Sequence, residues 1–329
     1  MATAKQITDL LKSFSDRDQE KFEVISLQIA ASEEKKGNKN LADQIQNIVS
    51  RYPKNCTSHS TEKAGSPLFF SKPEGDLGDL LQIVESKVRI SHMVLDSELK
   101  NRLSRIIREQ KNFNQLRAHN LYPRQRVLLM GSPGCGKTMT ASALSTEMGL
   151  PLFVVKLDAL FTKFLGETSS KLRLIFDAIQ KTRGVFLFDE FDSIGLARGS
   201  QHDVAEMRRV LNTFLVLIEN LQGYSLIIAA SNHPEVLDKA LFRRFDDLIK
   251  FKIPSLKELE VLLKNRIAGT PKTKINWQKI RPQLAGLSYA DAARIADEAM
   301  KEVIINDYSE LKTENLETAI KERKYLHHD

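Results

Sequence analysis

Cysteine is nearly absent. Cys56 and Cys135 are the only two in 329 residues, far apart and without metal-ligand spacing. That argues against a disulfide framework or a zinc module and points to the reducing cytoplasm. No apolar run approaches the ~20 residues needed to span a bilayer, so no membrane partner is expected. The opening "MATAKQITDL" lacks the basic-then-apolar layout of a secretory signal. Neither H-E-x-x-H nor G-x-S-x-G occurs, so any proteolysis must come from another protein. Winged-helix and RNP-like aromatic signatures are missing as well, which weighs against a nucleic-acid reader. There is no internal repeat.

Charge is present in quantity and unevenly placed. The net charge is +7, and residues 86–126 hold ten Lys/Arg against three Asp/Glu, while 250–281 hold nine against two. Such blocks suit nucleic acid or an acidic partner, although a solvated helix face or a subunit contact explains them as well.

Along the chain, residues 1–52 read as three short helices, with Ile7, Leu10, Leu11 and Phe14 at helical spacing, then Phe22, Ile25 and Ile29, then Leu41, Ile45 and Ile48. They form either a bundle or an interaction and oligomerisation element. Residues 53–90 begin with the Ser/Thr/Pro-rich "PKNCTSHSTEKAGSP" and read as linker and connecting segment. A helix from Asp96 carries Leu99, Leu103, Ile106 and Phe113 on one stripe. Short apolar runs at 127–130, 152–155, 185–188, 226–230 and 248–251, separated mostly by helices, predict a parallel sheet buried on both faces. The α/β core therefore spans 91–253. Beyond Pro254 no strand pattern remains, and helices at 255–268, 276–284, 288–307 and 313–324 predict an all-α domain over 254–329.

The strongest motif is "VLLMGSPGCGKT" (127–138), a strand running into G-x-x-x-x-G-K-T. Gly131, Gly134 and Gly136 let the loop curl so that backbone N–H groups face phosphate oxygens, and the following helix directs its positive end at the same charge. Lys137 reaches the β- and γ-phosphates and Thr138 offers a hydroxyl to Mg²⁺. The nucleotide-binding set is Gly131, Ser132, Pro133, Gly134, Cys135, Gly136, Lys137, Thr138 and Met139. "GVFLFDEFDSIG" (184–195) ends a strand in Asp189, suited to the Mg²⁺ shell through water, and Glu190, placed to polarise an attacking water. "SLIIAASNHPEVLDKALFRRFD" (225–246) puts Asn232 at a third strand end and Arg243 and Arg244 a dozen residues on. The guanine-reading N-K-x-D and T-K-x-D are absent, which favours ATP over GTP.

In this order, "GSPGCGKT", "FLFDEFDSIG", "AASN" and "LDKALFRRFD" resemble the AAA clade of AAA+ ATPases, from about Ser91 to the end. The resemblance implies an αβα P-loop core with a parallel sheet, a small helical lid, Mg-ATP between them and commonly a six-membered ring. It implies that Asn232 is sensor 1 and that Arg243 and Arg244 are arginine fingers acting on a neighbouring subunit's ATP. "KFLGET" falls where the family carries its first pore loop, so Phe164, Leu165 and Gly166 would grip a translocating polypeptide. Residues 197–206 match the second pore loop, with Arg208, Arg209 and Asn212 following. Two features depart from the family. The Pro-Gly between the two arginines is missing, and Tyr289 replaces a glycine in "GLSYADAARIADEA" (286–299). Arg294, a turn further on, is not assigned the sensor 2 role. The function expected is a cytoplasmic ATPase that remodels, unfolds or translocates proteins, with a separately encoded protease as one partner. The alternatives are a nucleic-acid loader or plasmid-maintenance factor, and a nucleotide-driven switch.

Overall fold

A computed structural model describes residues 75–160, 167–194, 201–221, 223–269 and 272–325, with isolated positions between 8 and 38. The chain divides into two compact units, Met1–Ser66 and Pro67–Asp329. Their boundary lies inside the predicted linker. In the first unit Ile29 and Ala30 are buried; the other apolar positions of the three predicted helices lie largely outside the described residues.

The second unit opens with a short helix α1 (Asp76–Leu80) and strand β1 (Leu81–Val84). β1 pairs antiparallel with β3 (Leu152–Val155), Leu81 opposite Val155 and Val84 opposite Leu152. The segment expected to be only a connector thus supplies an edge strand. Four residues are too few for periodicity to announce a strand, and β1 is fixed by burial of Leu80 and Leu81 against the rest of the sheet.

Asp96 caps α2 (Ser97–Lys111) by accepting from the Leu99 amide at 2.7 Å. Its buried face is Leu99, Leu103 and Ile106. Asn112 interrupts the helix, so Phe113 belongs to a separate α3 (Phe113–Ala118), where it packs edge-on against Tyr224 at 4.7 Å. Then follow β2 (Arg126–Met130), α4 (Lys137–Met148), β3, α5 (Leu157–Leu160), α6 (Thr168–Lys181), β4 (Val185–Phe188), α7 (Gln201–Glu219), β5 (Leu226–Ser231), α8 (Lys239–Phe242) and β6 (Asp247–Lys250). The sheet order is β1-β3-β4-β5-β2-β6, parallel except for β1.

Every inner strand is buried on both faces, which is why its sequence runs apolar without alternation. Val127 and Leu129 join one core with Leu103, Ile106 and Leu144 from α2 and α4. Leu128 joins the other with Leu172, Phe176, Phe214 and Ile218 from α6 and α7. Phe214 is fully buried and meets Phe176 and Phe188 edge-on at 5.5 and 5.3 Å. Truncating it to alanine should cost about 3–5 kcal/mol.

After Pro254, Ser255 and Glu258 form a capping box that starts α9 (Leu256–Ile267). The lid continues with α10 (Trp277–Ile280), α11 (Tyr289–Ile305) and α12 (Thr313–Tyr325) around a core of Leu263, Ile295, Leu316 and Ile320. Contrary to expectation, it also holds two-residue parallel strands, β7 (Thr273–Lys274) and β8 (Leu311–Lys312). Pairs this short leave no sequence signal.

Candidate nucleotide site

The chain leaves β2 and crosses over β5 and β4 to reach β3, whereas β6 lies on the other side of β2. Such a reversal opens a crevice at the carboxyl ends of the strands, where α/β sheets bind ligands. The loop after β2 is anchored there by the Gly131 amide, which donates to Ser231 O at 3.2 Å. Gly131 has φ +150°, and a Cβ on it would lie 2.4 Å from Phe251 O, so no larger residue fits without movement. Met93 reaches the loop from outside, its Cε 3.6 Å from where a Gly136 Cβ would stand.

Lys137, 5% exposed, donates to Gly131 O at 2.6 Å, Ser132 O at 3.0 Å and Asn232 Oδ1 at 2.7 Å. Burial pulls its pKa down, against opposing pulls from Cys135, Asp189 and Asp192. A lysine depressed in the folded state costs stability at pH values below its ordinary pKa. An incoming phosphate offsets that cost, so the loop is arranged for an anion.

Thr138 Oγ1 donates to Asp189 Oδ2 at 2.6 Å, bringing the two expected Mg²⁺-shell residues together. The Glu190 amide donates to Asp189 Oδ1 at 3.0 Å. Glu190 is exposed and has φ +52°. A left-handed non-glycine costs about 1–2 kcal/mol, and such strain concentrates at functional sites. Asp192, 6% exposed, accepts from the Asn232 amide at 2.9 Å. It fixes the end of β5 and thereby the side chain that meets Lys137. The sequence reading passed over Asp192, although it stands two residues from Glu190 in the same motif.

The lid closes the loop's far side. Ala290 N donates to Gly134 O at 3.1 Å, and a Cβ on Gly134 would lie 2.5 Å from Ser288 Oγ. Tyr289, in the same turn, is half-buried, and burial, with the Glu258 carboxylate as a lesser cause, pushes its pKa well above the usual phenol range. Cys135 is 2% exposed, and burial raises its thiol.

Arg243 and Arg244 are not part of this cluster. They precede β6 at the amino edge of the sheet, where Asp246 N donates to Arg126 O. The five residues of β2, about 16 Å of strand, separate that edge from the phosphate loop. Arg244 Nε lies 3.1 Å from Glu219 Oε2, an ion-pair distance without hydrogen-bond alignment. Arg243 is exposed and has no ion-pair partner among the described residues. Phe164, Leu165 and Gly166 lie outside the described residues. Of 197–206, residues 201–206 fall in the backbone of α7, with Arg209 and Asn212 exposed further along it. Arg294 is exposed on α11.

Many cations of the two basic segments have acidic neighbours. Arg102 pairs with Asp247, Arg105 and Arg124 with Glu109, and Arg126 with Asp246. In the lid, Lys264 and Arg281 pair with Glu260, Arg266 with Asp297 and Lys279 with Glu317. A cavity of about 700 Å³ lined by Arg117, Tyr122, Arg124, Tyr224 and Asp246 sits at the amino edge, away from the phosphate loop, and plays no part in the chemistry described above.

A mostly parallel sheet with a phosphate loop after β2, two carboxylates after β4, one strand removed from it, and a helical lid define a P-loop nucleotide-binding protein. Residues 127–253 match the ATPase family associated with various cellular activities (AAA). The chain is 32% identical over 98% of its length to "Uncharacterized AAA family ATPase y4kL" of Sinorhizobium fredii, covering 96% of that protein. It is 32% identical over 61% of its length to a homologue of a 26S proteasome regulatory subunit from Methanothermobacter thermautotrophicus, of which it spans 55%. The crystal structure of the FIGL-1 AAA domain overlays 74% of the chain and 85% of that domain, with TM-score 0.59 and 22% identity, which shows the shared fold. The chain belongs to the AAA family of ATPases, and its reaction is ATP hydrolysis. Among the described residues no helix is long and apolar enough to cross a membrane.

Proposed function

We propose that this ATPase works as a six-membered ring that remodels, unfolds or translocates a protein through a central pore lined by Phe164, Leu165 and Gly166. The observation that carries the reading is the position of Arg243, an exposed guanidinium a strand's length from its own phosphate loop. It is too remote for its own nucleotide and is available to a neighbour's, where an added arginine accelerates hydrolysis by ~10³–10⁵. The likeness to a homologue of a proteasome regulatory subunit supports a protein substrate and a separately encoded protease as partner.

In this reading an entering phosphate draws Lys137 away from Asn232 and the two carbonyls. Thr138 and Asp189 offer two hard oxygens to Mg²⁺, which supplies charge neutralisation between the phosphates. Among the described residues no cluster of three or more acidic, His or Cys side chains could cage a metal, which suits an ion that takes one or two protein oxygens and completes its shell with phosphate and water. Glu190 orients the attacking water, and Asn232, steadied by Asp192, faces the γ-phosphate. A nucleic-acid role would draw on the basic segments, but part of that charge is met by the ion pairs above.

A tagged Glu190→Gln form tests the proposal. With ATP it should reach the mass of a ring by light scattering and retain a protein that is lost when Phe164 is also changed to Ala. A monomer with ATP bound would overturn the ring. Nuclease-sensitive nucleic acid that survives the Phe164 change would transfer the assignment to the basic segments.

A further inference from the structure

The first turn of α11 is where the phosphate loop, α9 and α12 meet. Asp291, whose side chain is 6% exposed, divides its two oxygens there. Oδ2 accepts from Ser288 N at 2.9 Å and Ser288 Oγ at 2.7 Å, and Oδ1 accepts from Arg323 Nε at 2.8 Å. Ser288 Oγ in turn accepts from Asp291 N at 3.2 Å. The same serine stands against Gly134, and the Ala290 amide two residues on bonds Gly134 O. An unbroken set of contacts thus runs from the last turn of α12 to the phosphate loop.

More than the ion pair docks α12. Leu316 and Ile320 are fully buried in the lid core and already hold that helix on α11. What Arg323 adds is direction. It fixes one oxygen of Asp291 so that the other closes the serine cap and keeps Ser288 and Ala290 pressed on Gly134. A phosphate loop held in its binding shape loses less freedom when the anion arrives, which raises affinity.

We propose that Arg323 is a positioning residue for nucleotide binding, acting through Asp291 and Ser288 so that the C-terminal helix sets the affinity of the phosphate loop for ATP. The inference rests on ATP binding by this family and not on the ring or the pore.

The test is the ATPase of Arg323→Gln, Arg323→Lys and Ser288→Ala proteins, with binding of fluorescent ADP measured at dilutions below assembly. Arg323→Gln should raise KM and the ADP Kd about three- to thirtyfold, the range for a residue that couples to a site without touching the ligand, while kcat stays near that of the parent. Arg323→Lys, which keeps the cation, should recover most of the affinity. Ser288→Ala should reproduce the loss, and the double variant should lose no more than the weaker-binding single, because both lie on one path. Breaking a buried pair can also loosen the lid. If thermal unfolding shows that Arg323→Gln has lost its lid, Ser288→Ala and Arg323→Lys carry the test. Unchanged affinity, additive losses, or a fall in kcat at constant KM would each overturn the proposal. The dilute binding measurement separates such a failure from a failure to form rings.

Discussion

The two edges of the sheet treat charge in opposite ways. At the carboxyl edge Lys137 is buried and satisfied by two carbonyls and an amide oxygen, with the carboxylates of Asp189 and Asp192 nearby. At the amino edge Arg124 and Arg126 meet Glu109 and Asp246, Arg244 leans on Glu219, and Arg243 has no ion-pair partner among the described residues. One edge is a finished site awaiting an anion. The other is largely ion-paired and leaves Arg243 exposed. On the proposed reading, the difference teaches that each chain carries a phosphate-binding half and an arginine half of an ATPase site, placed at opposite ends of the sheet.

The largest effect should come from breaking the carboxyl edge. Lys137→Ala removes the cation and leaves its acceptors unpaired, so ATP affinity should fall about a hundredfold or more and turnover should vanish, as equilibrium nucleotide binding would show. Unchanged affinity would contradict the phosphate-loop assignment. Glu190→Gln comes next, with hydrolysis lowered by up to ~10⁴ and binding retained in single-turnover measurements. Normal turnover would remove Glu190 as the group that activates water.

Breaking the amino edge sharpens the comparison further. Arg243→Ala should lower kcat by about 10³ without weakening nucleotide binding. Arg244→Ala should do less directly, because that side chain is engaged with Glu219. Mixing Lys137→Ala chains, which keep their arginines, with Arg243→Ala chains, which keep their phosphate loop, should restore part of the activity. Failure to complement would mean that the two halves do not work across chains.

The carboxyl edge was legible because its chemistry is local. The phosphate loop and the Asp189–Glu190 pair each sit within a dozen residues, and glycine spacing and strand ends are written in the sequence. Contacts between distant segments were not. Nothing near Asp192 announced that it would hold the Asn232 amide forty positions away, and nothing in "KERKY" marked Arg323 as a partner of Asp291. β1 escaped because an edge strand of four residues takes its identity from β3. In the basic segments, Glu109 and Glu260 are partners from within, but other acids arrive from elsewhere and leave no local mark: Asp246 and Asp247 from the approach to β6 and its first residue, Asp297 from α11 and Glu317 from α12.

Cys135 gives the smallest expected effect and the finest probe of the carboxyl edge. A thiol in a phosphate loop invites the expectation that alkylation blocks the ATPase, since nearby Lys137 favours the thiolate. The structure reverses the weighting: burial dominates and pushes the thiol above its ordinary value of 9.0, with Lys137 only partly opposing. A raised acid pKa favours the protonated, unreactive form, and its contribution to stability holds below that ordinary value and is lost as pH rises through the folded-state value. At pH 7.5 iodoacetamide should therefore inactivate the enzyme more slowly than it alkylates free cysteine, roughly tenfold for each unit of upward shift if thiolate fraction alone decides. The rate should climb through pH 9 and above, when the thiolate forms. Rapid inactivation at neutral pH, prevented by ATP, would mean that the loop opens in solution and that the carboxyl edge is less finished than its hydrogen bonds imply.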